Sequence, residues 1–150
     1  MTSKNMRHLD DVTVGESLPE LSIPITVTLI AGGAVATRDY FPGHHDKDAA
    51  QALGSPHVFM NILTTSGLAQ RFVEEWAGPG ARFLDLKIKL GAPNYPGDTM
   101  VFSGEVSAVD GAARRVNVSF KGKNSMGSPT VIETGVSIST SFNGRSRVTS

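Results

Sequence analysis

The stretch "VFMNILTTSGLAQRFVEEWAGPG", Val58 to Gly80, is the longest periodic segment of this 150-residue chain. Its apolar residues recur at helical spacing, and Gly78-Pro79-Gly80 ends the pattern. We therefore predict one long helix over Val58 to Trp76. The small residues Thr64 to Gly67 in its middle are weak helix formers, but they allow another backbone or a ligand to come close.

Alternating patterns on both sides of this segment predict five strands. The first strand precedes the helix and covers Ile23 to Leu29. Four more follow the helix, over Leu84 to Leu90, Thr99 to Val109, Val116 to Phe120 and Thr130 to Phe142. Because these four follow one another, we predict an antiparallel meander.

An antiparallel sheet with one apolar face needs a cover, and the long helix is the element that can supply it. The sequence therefore predicts a single α+β hot-dog domain over residues 1–150, in which a curled antiparallel sheet surrounds one long central helix. The core covers about 12–142, and Met1 to Arg7 and Asn143 to Ser150 are its loose ends. Such a sheet covers the helix incompletely and leaves edges, so we expect at least a dimer.

Composition excludes several classes of function. The chain has 14 basic and 14 acidic residues and no formal net charge, so no extended field favours nucleic acid or a membrane surface. It has no cysteine, which excludes disulfides and thiol nucleophiles. No apolar stretch is long enough to span a bilayer, and the start is polar. We expect a soluble cytoplasmic protein.

The stretch "TRDYFPGHHDKD", Thr37 to Asp48, carries the candidate chemistry. Asp39 and His44 lie five residues apart across a Pro42-Gly43 bend, so both side chains can turn toward one water. A solvated surface turn is the alternative for such a loop. Asp46 is a good N-cap, and it predicts a short helix that ends at Gly54.

The other histidines have simpler interpretations. We expect His45, together with Asp46, to cap the short helix rather than to react. His8 is expected at the surface, and His57 is expected to cap or pack at the entrance of the long helix. Adjacent histidines point in different directions and no distant third ligand stands out, so we predict no metal site.

The loop resembles the signature of the MaoC-like, or R-specific enoyl-CoA hydratase, family. That signature has an Asp, a variable residue, Asn, Pro, another residue and His, with a small residue six positions further on. Asp39, Pro42, His44 and Ala50 are in register with it. The resemblance implies a hot-dog fold and an acid/base pair formed by Asp39 and His44.

Two residues depart from that signature. Arg38 stands where the family usually has Gly, and Phe41 stands where it has Asn. These departures keep open a second possibility, in which the chain is a non-catalytic subunit that shapes the acyl site of a partner hydratase.

The resemblance covers roughly Val12 to Phe142 and includes Ser66-Gly67 in the long helix. Within the family, the chain is most similar to the small subunits of actinobacterial hydratases that act on steroid side-chain CoA thioesters. The runs that carry this likeness are His44 to Asp46, Asn61 to Thr64 and Glu75 to Pro79. Those small subunits work beside a second MaoC-like chain, which implies a homodimer or a hetero-oligomer here.

The expected reaction is the hydration of a 2-enoyl-CoA with a bulky acyl group, such as a steroid side chain, to a 3-hydroxyacyl-CoA. We expect Asp39 to exchange a proton with the substrate and His44 to orient and activate water. Free N–H groups at about Val58 and Phe59 would stabilise the enolate. The resemblance implies that Ser66 approaches the catalytic groups; the alternative is that it is a small residue that allows close packing. The CoA thioester is the substrate and no further cofactor is expected; an acyl-CoA thioesterase is the alternative enzyme.

Overall fold

The computed structural model describes residues 7–126 and the backbone of 136–140. The elements are β1 (Leu21–Pro24), α1 (Val27–Ala36), α2 (Lys47–Ala52), α3 (Ile62–Ala77), β2 (Ala81–Phe83), β3 (Thr99–Asp110), β4 (Arg115–Lys123) and β5 (Val136–Thr140), with 3₁₀ turns at Leu9–Asp11 and Pro42–His44. The five strands form one antiparallel sheet in the order β1-β3-β4-β5-β2, which lies against α3, a helix of 16 residues. Of the predicted loose ends, residues 1–6 and 143–150 lie outside the described residues.

The core lies between α3 and the sheet. Phe72 of α3 stacks on Phe102 of β3 with ring centroids 5.7 Å apart, and its ring centroid is 5.4 Å from that of Phe120 in β4. All three rings are buried, and burying one such side chain contributes about 1.5–3 kcal/mol. The long helix is therefore covered by the sheet, as its apolar periodicity predicts.

The β3 and β4 hairpin confirms two of the predicted strands. The two strands pair antiparallel up to Asp110 and Arg115, and the Asp110 carboxylate accepts a hydrogen bond from the Ala113 N–H at 2.9 Å in the turn. Val116 and Val118 are buried, as their alternation predicts. Of the predicted last strand, β5 is described; its other residues, 130–135 and 141–142, lie outside the described part of the chain.

The predicted first strand is wrong beyond Pro24, because α1 begins at Val27. Thr26 has extended backbone angles and its hydroxyl accepts a hydrogen bond from the Leu29 N–H at 3.0 Å, which makes it the N-cap. The alternation of threonines with apolar residues imitates a strand here. Gly32 and Gly33 weaken the helical signal of this segment further, since glycine has a low helix propensity.

The long helix is confirmed, but its predicted start at Val58 is wrong. Asn61 is the N-cap of α3, and its side-chain oxygen accepts a hydrogen bond from the Thr64 N–H at 2.9 Å. The end is as predicted: α3 stops at Ala77, and Gly78 follows with a φ of 79°. The apolar residues upstream of Asn61 extend the helical pattern without belonging to the helix.

The predicted strand Leu84 to Leu90 is also corrected. Strand β2 ends at Phe83, and the following residues are not assigned to a strand within the described part of the chain. Leu86 and Ile88 nevertheless pack partly buried against the core, whereas Leu84 and Leu90 are exposed. Alternation therefore predicted the inward side chains in the middle of this segment but not at its ends, and a strand also needs a hydrogen-bonded neighbour.

The short helix after the histidines is confirmed as α2. The Asp46 carboxylate caps it by accepting hydrogen bonds from the N–H groups of Asp48 and Ala49 at 2.9 and 3.0 Å. Gly54 follows the helix with a φ of 87°.

Among the residues that the structure describes, no helix combines the length and the apolar character needed to cross a bilayer.

Candidate active site

The end of α1 places Asp39. The Arg38 N–H donates to the Val35 carbonyl at 3.1 Å, and the Asp39 N–H donates to the Ala34 carbonyl at 2.9 Å. This pair of bonds is a Schellman motif, which needs a left-handed residue at the position of Arg38. Arg38 has a φ of 57°, in the left-handed region. Asp39 is therefore held by the hydrogen bonds that end a helix.

His44 lies in the 3₁₀ turn that follows, and its side chain is buried to all but 7%. Its Nδ1 is 2.6 Å from the Phe59 carbonyl oxygen. A carbonyl oxygen only accepts, so Nδ1 carries a proton and Nε2 is the nitrogen left to exchange protons. The edges of Phe41 and Phe59 flank the ring at centroid distances of 5.4 and 4.9 Å. His44 Nε2 is 3.3 Å from Asp39 Oδ2.

The Asp39 carboxylate accepts hydrogen bonds on both oxygens. The Asn61 amide donates to Oδ2 at 2.9 Å, and the Phe41 N–H donates to Oδ1 at 3.3 Å. The Asn61 hydrogen bond is the main reason that the pKa of Asp39 lies below its ordinary value, and the Phe41 N–H and the neighbouring His44 lower it further against a partial loss of hydration. The carboxylate is therefore ionised near neutral pH.

The pair opens into a cleft of about 300 Å³. Its floor comes from the segment before α3 and the first turns of that helix, and its opposite wall is the irregular segment before β3. A larger cleft of about 410 Å³ lies on the sheet, but its polar side chains are half-buried or exposed, whereas His44 and Asn61 are buried. We place the site in the smaller cleft, lined by Asp39, His44, Phe59, Met60, Asn61, Ile62, Thr65, Leu90, Gly91, Ala92, Pro93 and Asn94.

The N–H groups of Val58 and Phe59 do not lie at a helix start. The Val58 N–H donates to Nδ1 of His57 at 2.8 Å, and the Phe59 N–H donates to the Gly43 carbonyl at 3.1 Å. Both N–H groups thus have acceptors within the chain. The backbone group of Phe59 that contacts the acid/base pair is its carbonyl, which orients His44.

Ser66 lies away from the cleft. Its hydroxyl donates to the Ile62 carbonyl at 2.8 Å, and the residue is half-buried on another side of α3. Its neighbour Thr65 lines the cleft, and the Thr65 hydroxyl donates to the Asn61 carbonyl at 3.3 Å. In this structure the cleft is therefore lined by Thr65 and not by the predicted Ser66.

Two buried asparagines at the site were not singled out by the sequence analysis. Asn61 contacts Asp39 directly, and the Asn94 carbonyl accepts a hydrogen bond from the Met60 N–H at 3.1 Å, which joins the two walls of the cleft. For Asn61 a signal exists: an Asn directly before an apolar helical run is a strong N-cap candidate. We find no comparable signal for Asn94.

The residues described contain no group of three or more His, Asp or Glu side chains that could hold a metal ion. The two residues that follow His44 have other surroundings: Asp46 caps α2, and His45 is exposed. His8 is also exposed. The histidine that meets a carboxylate at the cleft is His44.

The backbone of Arg38 gives a first testable prediction. A left-handed conformation costs a non-glycine residue about 1–2 kcal/mol, and part of the gain on changing to Gly is lost to the greater freedom of the unfolded chain. We expect Arg38→Gly to raise the free energy of unfolding by up to about 1 kcal/mol. Urea unfolding measures this. Arg38→Ala is the matched control, since it removes the side chain but keeps Cβ; an equal gain in both variants would contradict the backbone explanation.

Comparisons with known proteins identify the family of the chain. The family described as MaoC like domain matches residues 11–126. The beta subunit of 3-oxo-4,17-pregnadiene-20-carboxyl-CoA hydratase from Mycobacterium tuberculosis is 46% identical over 114 residues, which are 76% of this chain and 87% of that subunit.

Solved structures agree as well. A chain of the ChsH1-ChsH2 complex from Mycobacterium tuberculosis matches with a TM-score of 0.79 and 42% identity, over 86% of this chain and 98% of its own length. The unliganded R-hydratase PhaJ1 from Pseudomonas aeruginosa has a TM-score of 0.79 at 20% identity over 88% and 84% of the two chains, a likeness of fold alone. The predicted hot-dog fold is thereby confirmed, and the chain belongs to the MaoC-like domain family.

Proposed function

We propose that the protein hydrates a 2-enoyl-CoA thioester to the 3-hydroxyacyl-CoA, with Asp39 and His44 as the acid/base pair. The observation that carries this proposal is the 3.3 Å approach of a buried imidazole nitrogen to an ionised carboxylate at the edge of a cleft. Membership of the MaoC-like family and the likeness to a hydratase subunit support it.

The geometry suits the activation of one water. When His44 Nε2 carries no proton, it and Asp39 Oδ2 are both acceptors, and a water at about 2.8 Å from each can donate one hydrogen to each. Its lone pairs are then left for attack on C3 of the enoyl group. The pair takes one proton from this water as the C3–O bond forms and returns one proton to C2, so it ends each turnover unchanged.

The negative charge that develops on the thioester oxygen also needs donors. By helix geometry, the first N–H groups of α3, those of Ile62 and Leu63, have no acceptor within the helix, and Ile62 lines the cleft. We assign the oxyanion role to these two groups, in place of Val58 and Phe59. The helix dipole favours the same charge.

We further propose that the acyl group is bulky and that a second MaoC-like subunit completes the site. The relative at 46% identity is named for the CoA thioester of a pregnadiene carboxylic acid, and the matched structure is a complex of two named components. Apolar side chains at the cleft are also exposed: Ile62 and Leu90, which line it, are 49% and 44% exposed, and Phe41, whose ring packs against His44, is 44% exposed. Such a surface is typical of a site that a partner covers.

The product distinguishes this proposal from a thioesterase. We expect the protein, isolated together with the chain that co-elutes with it, to remove the absorbance of a conjugated enoyl-thioester without releasing a thiol. Mass spectrometry should then show an acyl-CoA heavier by one water. Rapid release of free CoA with no 3-hydroxyacyl-CoA would refute hydration, because the water would have attacked the carbonyl instead.

A further inference from the structure

One side chain connects the end of α1, the acid/base pair and the start of α3. The Asn61 amide nitrogen donates to Asp39 Oδ2 and to the Thr37 hydroxyl, each at 2.9 Å. Its amide oxygen accepts from the Thr64 N–H, also at 2.9 Å. The residue is 3% exposed, so these bonds do not compete with bulk water.

Few side chains could make these contacts together. The position needs two donor hydrogens on one atom and an acceptor on the other, at the length of Asn. An Asp could cap α3 but would place a second acceptor against Asp39, and a Ser could cap α3 but is one bond too short to reach the carboxylate as well. The amide is therefore used as a two-ended connector rather than as a cap alone.

The neighbouring departure from the family signature fits this arrangement. Phe41 occupies the position where that signature has Asn, and its ring packs against His44. The side chain at position 41 thus offers no amide to the carboxylate, and an amide reaches Asp39 from α3 instead.

We propose that Asn61 is a positioning residue for the hydration: it fixes the Asp39 carboxylate opposite His44 and keeps that carboxylate in its proton-accepting form. This inference rests on the proposed function for its effect on turnover. Its effect on Asp39 is independent of that function and can be measured without substrate.

The surroundings of Asp39 determine the direction in which its pKa changes when the Asn61 amide is removed. Of the described residues that line the cleft, Asp39 and His44 are the titratable ones; the first turns of α3 and the 90–94 wall contribute no charged side chain. Arg38, next in the chain, is exposed. Because the Asn61 hydrogen bond is the largest cause of the lowered pKa of Asp39, its loss raises that pKa. The carboxylate then protonates at a higher pH, and the acid limb of the kcat/KM profile moves to higher pH.

Two variants separate this role from helix capping. Asn61→Ser keeps a good N-cap and loses the donor to Asp39, whereas Asn61→Ala loses both. Thr26→Ala is the control, since it removes the N-cap of α1 at the end remote from Asp39 and costs about 1 kcal/mol of stability. Carbon-13 NMR of the Asp39 carboxyl, urea unfolding and the pH profile of kcat/KM are measured for each.

We expect both Asn61 variants to raise the Asp39 titration midpoint and to lower kcat by about 10- to 100-fold, as misplacement of a reacting group does. Asn61→Ser should keep near wild-type stability, and Thr26→Ala should leave the Asp39 midpoint unchanged. The inference is overturned if Asp39 titrates as in the wild type in Asn61→Ser, or if activity follows stability in all three variants. If the wild-type assembly hydrates no enoyl-CoA, the proposed function fails while the NMR titration still decides the role of Asn61.

Discussion

Asp39→Asn and His44→Ala are each expected to lower the turnover of an enoyl-CoA by about 10²- to 10⁴-fold, the usual contribution of one positioned acid/base group. Asn at position 39 cannot accept a proton, and Ala at position 44 removes the Nε2 that lies 3.3 Å from the carboxylate. The measurement is kcat/KM of the native assembly, with circular dichroism to show that the fold is intact.

The neighbouring histidine provides the matched control. His45 is exposed and does not line the cleft, so His45→Ala should keep turnover close to that of the wild type. Wild-type turnover in both Asp39→Asn and His44→Ala would contradict the proposal and would indicate that the partner carries the chemistry. A loss in His45→Ala equal to that in His44→Ala would show that the effect is not specific to the buried ring.

Gly33→Ala is expected to reduce stability and activity together. A Cβ at position 33 would lie 2.2 Å from Oγ1 and 2.7 Å from Cγ2 of Thr64, which is buried in α3. The helices must then separate, at a cost of about 1–3 kcal/mol. Because the Asp39 N–H is bonded to the Ala34 carbonyl at the end of α1, the shift reaches the pair, and a displacement of about 1 Å can reduce the rate about 10²-fold. Urea unfolding and kcat report the two effects.

The variant Gly32→Ala separates the effect of the collision with Thr64 from the effect of helix propensity. A Cβ at Gly32 would have no atom within 4 Å, so Gly32→Ala should stabilise α1 by about 0.5–1 kcal/mol. Adding Thr64→Ala to Gly33→Ala removes the side chain that collides and should restore part of the loss. If Gly33→Ala behaves like Gly32→Ala, the helices do not approach as closely as described.

The sequence predicted the parts of the fold that carry local signals. The end of α3 at Gly78, the cap of α2 at Asp46 and the β3-β4 hairpin all follow from residues close together in the chain. The approach of Asp39 to His44 was also predicted, since a Pro-Gly bend separates them by only five positions. Short-range chemistry was sufficient for these features.

The missed features depend on contacts between distant residues. Helix α1 contains two glycines. The glycine at position 33 is explained by the close approach of Thr64, which lies 31 positions later in the chain. Asn61 lies 22 positions from Asp39, so its amide could be assigned to the carboxylate only after the ends of α1 and α3 were known to meet. Its role as an N-cap was predictable locally, but its contact with Asp39 was not.

The Schellman motif at the end of α1 has a consequence for the population of competent molecules. The Asp39 N–H is bonded to the Ala34 carbonyl, so unwinding of the last turn of α1 releases the backbone that carries the carboxylate. Helix ends open locally at a much lower free energy than the whole domain. The observed rate is then the intrinsic rate multiplied by the fraction of molecules in which this turn is wound, and a substrate or partner that binds only the wound form increases that fraction.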